Sequence, residues 1–547
     1  MRAAIVAFML LAVQSAPAIA AESLGKIDFP TTGTAPARAH FVRGVLALHS
    51  FFYDEALDEF RAATQAEPGF AMGYWGEAMA YNHTIWDAQD TEAARGALAK
   101  IGDTSRLRAR ERAWIDAVRL LYGKGDKPAR DFVYAQALEK MARDYPDDLE
   151  VASFEAVALL GTLDPEQPGL ATRMRAGALA LEVLAKNPDH PGAAHYVIHA
   201  FDDADHARIA LPAARRYAQI APAAFHARHM PSHIFVNLGM WDEAASANES
   251  SFAASEVWVT RRKHPIAKLD FHSLGWLAEI YHQQGRLKKT EETLAKFARL
   301  VEESGEASVA VAYTSVVGVF LERTSRWAEL DDRLAATARA VKEASALEPS
   351  CHPTPKAMPK LFLAMASARL RAGAAAVRGD DAAVEKNLAA VGQLRKRFEG
   401  TPAGPDVAAE GKIVDLEIRA RLLRAHRRFD GAEKSLREAV TLAQQAPYHG
   451  GADPAGLAVE TALGELLVEA GKIKEAQVAY GAALGVTPGD SLALLGAARV
   501  ARKLGDNAGA ASLYARIATQ WKNADAGFPD LEEVRAGEGT KRAAALR

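Results

Sequence analysis

Four histidines carry the clearest chemistry in this sequence. His195 and His199 lie four residues apart in HPGAAHYVIHAFDD, and His229 and His233 repeat that spacing in FHARHMPSHIFVNLGMWDE. Each member of the second pair follows its counterpart by 34 residues. Neutral imidazole nitrogens bind Cu, Zn, Fe and Ni, so two HxxxH pairs offer up to four ligands to one transition-metal ion. His226, three residues before His229, is a fifth candidate. Asp202, Asp203 and Asp205 follow His199 closely and are candidates to accept from the ring N–H groups and orient them. The competing reading is packing. Counted from Pro188 and Pro222, the histidines occupy positions 7 and 11 of their repeats, where apolar residues ordinarily sit. Imidazoles stacked in a dry interface, however, would leave several polar nitrogens to satisfy.

The elements that must position these residues are helices. Residues four apart share one helical face. A 34-residue period is that of a helix–turn–helix unit stacked on its neighbours, so matched positions fall on adjacent parallel helices. Four imidazoles are therefore expected to converge. Aromatics are only 7% of the 547 residues, and no sustained alternation of β-branched and polar residues argues for strands. The chain reads as all-α. Pro231 breaks the regularity of the second pair, either as an internal kink or as the start of a new helix.

Small residues and aromatics recur at fixed places. Gly44, Ala56, Phe60, Ala63 and Pro68 form one set, and Gly464, Leu467, Ala476, Tyr480, Ala483 and Pro488 form another. Gly496, Ala508 and Ala515 follow 32 residues further on. This is the tetratricopeptide repeat (TPR) pattern, and the chain resembles TPR proteins: an all-α solenoid of helix pairs. HSFFYDEA (His49 to Ala56), AMGYWGEAMAYNHTIW (Ala71 to Trp86), HPGAAHYVIHAFDD, HARHMPSHIFVNLGMWDEA and LDFH (Leu269 to His272) are more polar than generic TPR packing. Through them the chain is similar to a widespread group of bacterial TPR proteins with HxxxH repeats. That resemblance implies a fold and supplies no reaction.

Export is expected from the N-terminus. Arg2, an apolar run from Ala3 to Val13 and the small-residue site Ala18-Ile19-Ala20 read as a signal peptide over residues 1–20, giving a periplasmic or secreted protein. A TPR-like array with the histidine pocket is expected over 21–347, a break at 348–356, a regular array over 357–527 and a frayed tail over 528–547. No later stretch is long and apolar enough to span a bilayer. The formal charge of −3, from 66 basic and 69 acidic residues, offers no basic field for nucleic acid. The single cysteine, Cys351, lies in the proline-rich stretch CHPTP and reads as part of a loop rather than a nucleophile.

Weaker pocket candidates are His49, His83 and Trp86 in the first repeats, and Asp270 and His272 just after the cluster. No P-loop, dinucleotide fingerprint or GxSxG occurs. HxxxH lacks the glutamate that serves HExxH proteases as general base, so no reaction is assigned and enzymatic status stays open. Two functions remain. One is a metal or small-ligand pocket between adjacent repeats. The other is a scaffold holding a peptide or partner protein in the concave groove. Histidines concentrated in two repeats, rather than Asn, Lys and Arg spread along a groove, favour the local pocket.

Overall fold

The computed structural model describes residues 22–86, 88–162, 169–345, 358–401, 404–445 and 458–537. The chain forms two compact units, one ending at Ile234 and the next beginning at Phe235. Both are all-α arrays of helix–turn–helix pairs. Interlocking explains why this composition folds so. In the first pair, Ala35–His49 packs on Tyr53–Ala66, which packs on Ala71–Ala80. Phe60 fills the space left by Gly44 and Gly76, and a Cβ on Gly44 would lie 2.7 Å from the ring. Tyr480 is held the same way between Gly464 and Gly496. Removing the Cβ lets an aromatic from the middle helix seat against both flanking helices, which is how each repeat buries its apolar face on the next.

The first unit also folds back on itself. Helix Pro191–Ala200 packs against Ala35–His49, although their sequences lie far apart. The lead-in before the first helix ties this closure. Lys26 N–H donates to the Asp189 carbonyl at 3.0 Å, Asn187 Nδ2 donates to the Lys26 carbonyl at 2.8 Å, and Ala223 N–H donates to the Ser23 carbonyl at 3.1 Å. Where NHTIWDAQD departs from the repeat pattern, two-residue strands Asn82–His83 and Ala88–Gln89 pair antiparallel and project Trp86 from the turn between them.

The second unit is closed by buried polar contacts instead. Asp490, N-cap of helix Ser491–Lys503, accepts from Gln283 Nε2 at 2.9 Å and from Arg323 Nη2 at 2.7 Å. Ser491 N–H donates to Gln283 Oε1 at 2.9 Å, and Trp521 Nε1 donates to the Gln283 carbonyl at 3.0 Å.

The signal segment, Cys351 and the expected break at 348–356 lie outside the described residues. Helices Ala307–Thr324 and Met358–Val377, on either side of those residues, pack directly against each other, and the two compact units meet in sequence after Ile234. The residues beyond Gly527, expected to fray, carry Leu531 and Val534 into a buried cluster with Tyr514 and Trp521, so the chain is packed as far as the described residues extend. Among those residues no helix is long and apolar enough to cross a membrane.

Candidate metal centre

Helix Pro191–Ala200 presents His195 and His199, both buried, on one face. Pro231 begins a new helix, Pro231–Asn237, so the second pair is split: His226 and His229 lie in the short helix Phe225–His229, and His233 in the next. His226, in the helix before the break, faces the first pair. His195 Nε2 lies 3.0 Å from His199 Nε2 and 3.2 Å from His226 Nε2. All three nitrogens fall within 4.8 Å of one another. Tetrahedral ligands about 2.0–2.1 Å from an ion are separated by roughly 3.3 Å, so this spacing is close to that of a metal shell.

Hydrogen bonds set the tautomers. His195 Nδ1 is 2.8 Å from the carbonyl of His49, which can only accept, so Nδ1 carries the proton and Nε2 presents its lone pair to the cluster. Burial, then the charge of His199, holds the His195 imidazole well below the usual histidine range, and burial with His233 and His226 does the same for His199. Both shifts favour the neutral imidazole, the form that can offer a lone pair to a cation.

His229 and His233 repeat this arrangement alongside. Their Nε2 atoms are 3.1 Å apart, and buried Asp202 accepts from His233 Nδ1 at 2.8 Å, leaving His233 Nε2 as a lone pair. The His226 and His229 rings are 6.2 Å apart. Of the three aspartates, only Asp202 reaches a cluster histidine in this way. Asp203 binds Arg173 and His206 instead, and the exposed Asp205 donates its N–H to Asp203.

Aromatic rings wall the cluster. Phe51 lies 4.3 Å from His195, 5.7 Å from His199 and 5.8 Å from His226, centroid to centroid. It does so from a left-handed backbone, φ 51°, a conformation a bulky residue adopts only when its surroundings enforce it. Trp86 is 5.8 Å from His226 and remains 52% exposed, so this edge of the cluster meets solvent. His83 stacks on Tyr53 at 3.9 Å beside Trp86, on the rim. Asp270 and His272 belong to the second unit. There Asp270 caps helix Phe271–Gln283, accepting from Ser273 N–H at 3.1 Å and from Ser251 Oγ at 2.6 Å, and the His272 ring lies 5.4 Å from Trp276.

His49 has a different task. It is buried with Glu150 and His190 in a second cluster of possible ligands. Ala193 N–H donates to His190 Nδ1 at 3.1 Å, so His190 Nε2 carries the proton and donates to Glu150 Oε1 at 3.0 Å. His49 Nε2 lies 2.9 Å from Glu150 Oε2, and Tyr196 Oη lies 2.8 Å from His49 Nδ1, so the imidazole donates to the carboxylate and accepts from the phenol. Burial alone would raise the Glu150 carboxyl, but His190 and His49 hold it at about 2. Every nitrogen and both carboxylate oxygens in this set are satisfied within the protein, which marks it as a positioning network. It fixes the His49 carbonyl that sets the tautomer of His195. Glu150 is not distinguished by sequence pattern, and Phe51, His190 and Tyr196 lie in the quoted polar segments with no role legible there, because contacts with sequence separations of 101 and 147 build the network. Gly192 was the one local trace: a Cβ there would collide with the His49 ring.

The interlocked helix pairs define a TPR-like helical repeat protein. No protein-family model matches the chain, and no curated protein matches it. Among solved structures it is similar to a human IFIT1 dimer with m7Gppp-AAAA, at 14% identity over 93% of this chain and 95% of that one, TM-score 0.37. It is also similar to yeast Tom70, at 14% identity over 92% of this chain and 96% of that one, TM-score 0.34. At such TM-scores the fold assignment rests on the helix pairing and the glycine–aromatic interlocks.

Proposed function

We propose that the first unit binds a transition-metal ion through His195, His199 and His226, with His229 and His233 alongside as further ligands or as a second half-site. The observation that carries this reading is the convergence of three Nε2 atoms at 3.0 and 3.2 Å, one of them turned inward by a backbone carbonyl. Without an ion, His195 Nε2 can accept only one proton from two facing nitrogens, and a cation resolves that frustration. Imidazole-only ligation suits Cu, Zn, Fe or Ni. Three protein nitrogens leave room for water or a small ligand on the ion, where it would act as a Lewis acid or lower the pKa of bound water. The aromatic rim of Phe51, Trp86 and His83 supports a small ligand at the exposed edge. The apolar start and the Ala18-Ile19-Ala20 site support export to the periplasm or beyond.

Competition of the untagged protein against a chromophoric chelator for Zn(II) tests this. His199→Gln is expected to weaken binding by at least about 100-fold, whereas His40→Gln, at a histidine paired with Glu59 away from the cluster, leaves it unchanged. Equal affinities in wild type and His199→Gln would refute the assignment. The chain would then be a scaffold holding a peptide or partner protein.

A further inference from the structure

The second unit contains a cavity of about 430 Å³, in the size range of small-molecule sites. It is lined by successive repeats: Glu322 and Arg323 from helix Ala307–Thr324, Glu417, Arg421 and Arg424 from Gly404–Ala425, and Glu465 and Glu469 from Val459–Glu469. Trp327, Leu436 and Leu466 supply apolar wall. The contact of Arg323 with Asp490 joins the first lining helix to the cap of helix Ser491–Lys503, whose Leu492 also lines the cavity, so the lining helices form an arc closed by that ion pair. Such an arc suits a small molecule better than an extended chain.

The charges on the wall are unevenly committed. Arg323 is bound to Asp490 at 2.7 Å. Arg421 donates to Glu322 at 3.2 Å and stacks its guanidinium 4.9 Å from the Trp327 ring centre. Arg424 reaches Glu465 at 3.2 Å and donates through Nε to Glu469 at 3.0 Å. Each lining guanidinium therefore already has a carboxylate. Glu417 is the lining carboxyl with no guanidinium in hydrogen-bond contact. The charged groups acting on it are Glu322 on helix Ala307–Thr324, Arg421 on its own helix and Glu460 on Val459–Glu469. Burial, reinforced by Glu322 and Glu460 against the pull of Arg421, pushes the Glu417 carboxyl up to about 8.

We propose that this cavity binds a small organic cation, a primary ammonium on an apolar body, with Glu417 as its counter-ion. An incoming N–H donor replaces the proton on Glu417, and Trp327, Leu436 and Leu466 receive the apolar part. The wall sets the carboxyls of Glu322, Glu417, Glu465 and Glu469 against the guanidiniums of Arg323, Arg421 and Arg424, each of which already faces a carboxylate, so an anion finds no net positive charge there. A hard divalent ion needs about six or more oxygen ligands, and one uncommitted carboxyl cannot supply them.

The test is isothermal titration of chelator-treated full-length protein with n-hexylammonium, n-hexanol and hexanoate at pH 7, in phosphate and in MOPS. The ammonium is expected to bind one to one, and the buffer difference to report net proton release, as follows for a carboxyl whose pKa is raised above 7. Glu417→Gln copies the protonated resting side chain, so it should keep the helical circular dichroism, abolish proton release and weaken binding at least tenfold. Failure of the ammonium to bind, binding of hexanol or hexanoate at least as tightly, or undiminished binding to Glu417→Gln would each overturn the proposal.

Discussion

At the scale of single residues, the site depends on groups that fix which nitrogen of each imidazole faces inward. Asp202 does this for His233, and the His49 carbonyl does it for His195. Asp202→Asn is expected to weaken metal binding by about 10–100-fold while leaving the fold intact, measurable by chelator competition. An unchanged affinity would remove His229 and His233 from the site. Phe51 gives a separate test of strain. Phe51→Gly and Phe51→Ala lose the same ring, but only glycine relaxes at φ 51°. The glycine variant should be the more stable by about 1–2 kcal/mol in urea unfolding. The HxxxH pairs were legible because four-residue spacing is itself a geometric statement about a helix face. Phe51 was not, since nothing in FFYDEA signals a left-handed residue or a partner some 145 positions away.

At the scale of elements, what positions the site is the glycine–aromatic interlock and the break at Pro231. Gly76→Ala drives a methyl into the Phe60 ring and should cost about 1–3 kcal/mol by overpacking. Thermal melts would show it, and a neutral result would mean that Phe60 repacks freely. This part of the fold was readable because the TPR pattern encodes helix approach in residue size. The outcome at Pro231 was open in sequence between a kink and a new helix start. A new helix starts at Pro231, separated by Met230 from the short helix Phe225–His229, and from that short helix it is His226 that completes the tight triad with His195 and His199. Asp203 and Asp205 looked equivalent to Asp202 in sequence. The turn after helix Pro191–Ala200 separates them, sending Asp203 to Arg173 and His206.

At the scale of the whole molecule, each unit is closed by contacts between distant segments, and these are what periodicity cannot forecast. In the second unit, Arg323→Met leaves Asp490 buried without its cation and should destabilise by about 3–5 kcal/mol, read as a lowered urea midpoint. The same region sets an acid limit. His282 is buried, its Nδ1 has no hydrogen-bond partner, and burial with Arg323 nearby lowers its pKa to about 3. A folded-state value below the ordinary 6.5 means that the unfolded chain takes up the proton first. Stability should therefore fall as pH drops from about 6.5 toward 3, by about 1.4 kcal/mol per pH unit for this one histidine. His282→Leu should remove that share in thermal unfolding at pH 7.5 against pH 5, and an unaltered pH dependence would contradict the assignment. Metal binding in the first unit is decided by elemental analysis of untagged protein from its native compartment. Near-stoichiometric Cu, Zn, Fe or Ni is expected, lost in His195→Ala/His226→Ala with the helical circular dichroism retained. A metal-free protein that also takes up none of these ions when supplied would contradict it.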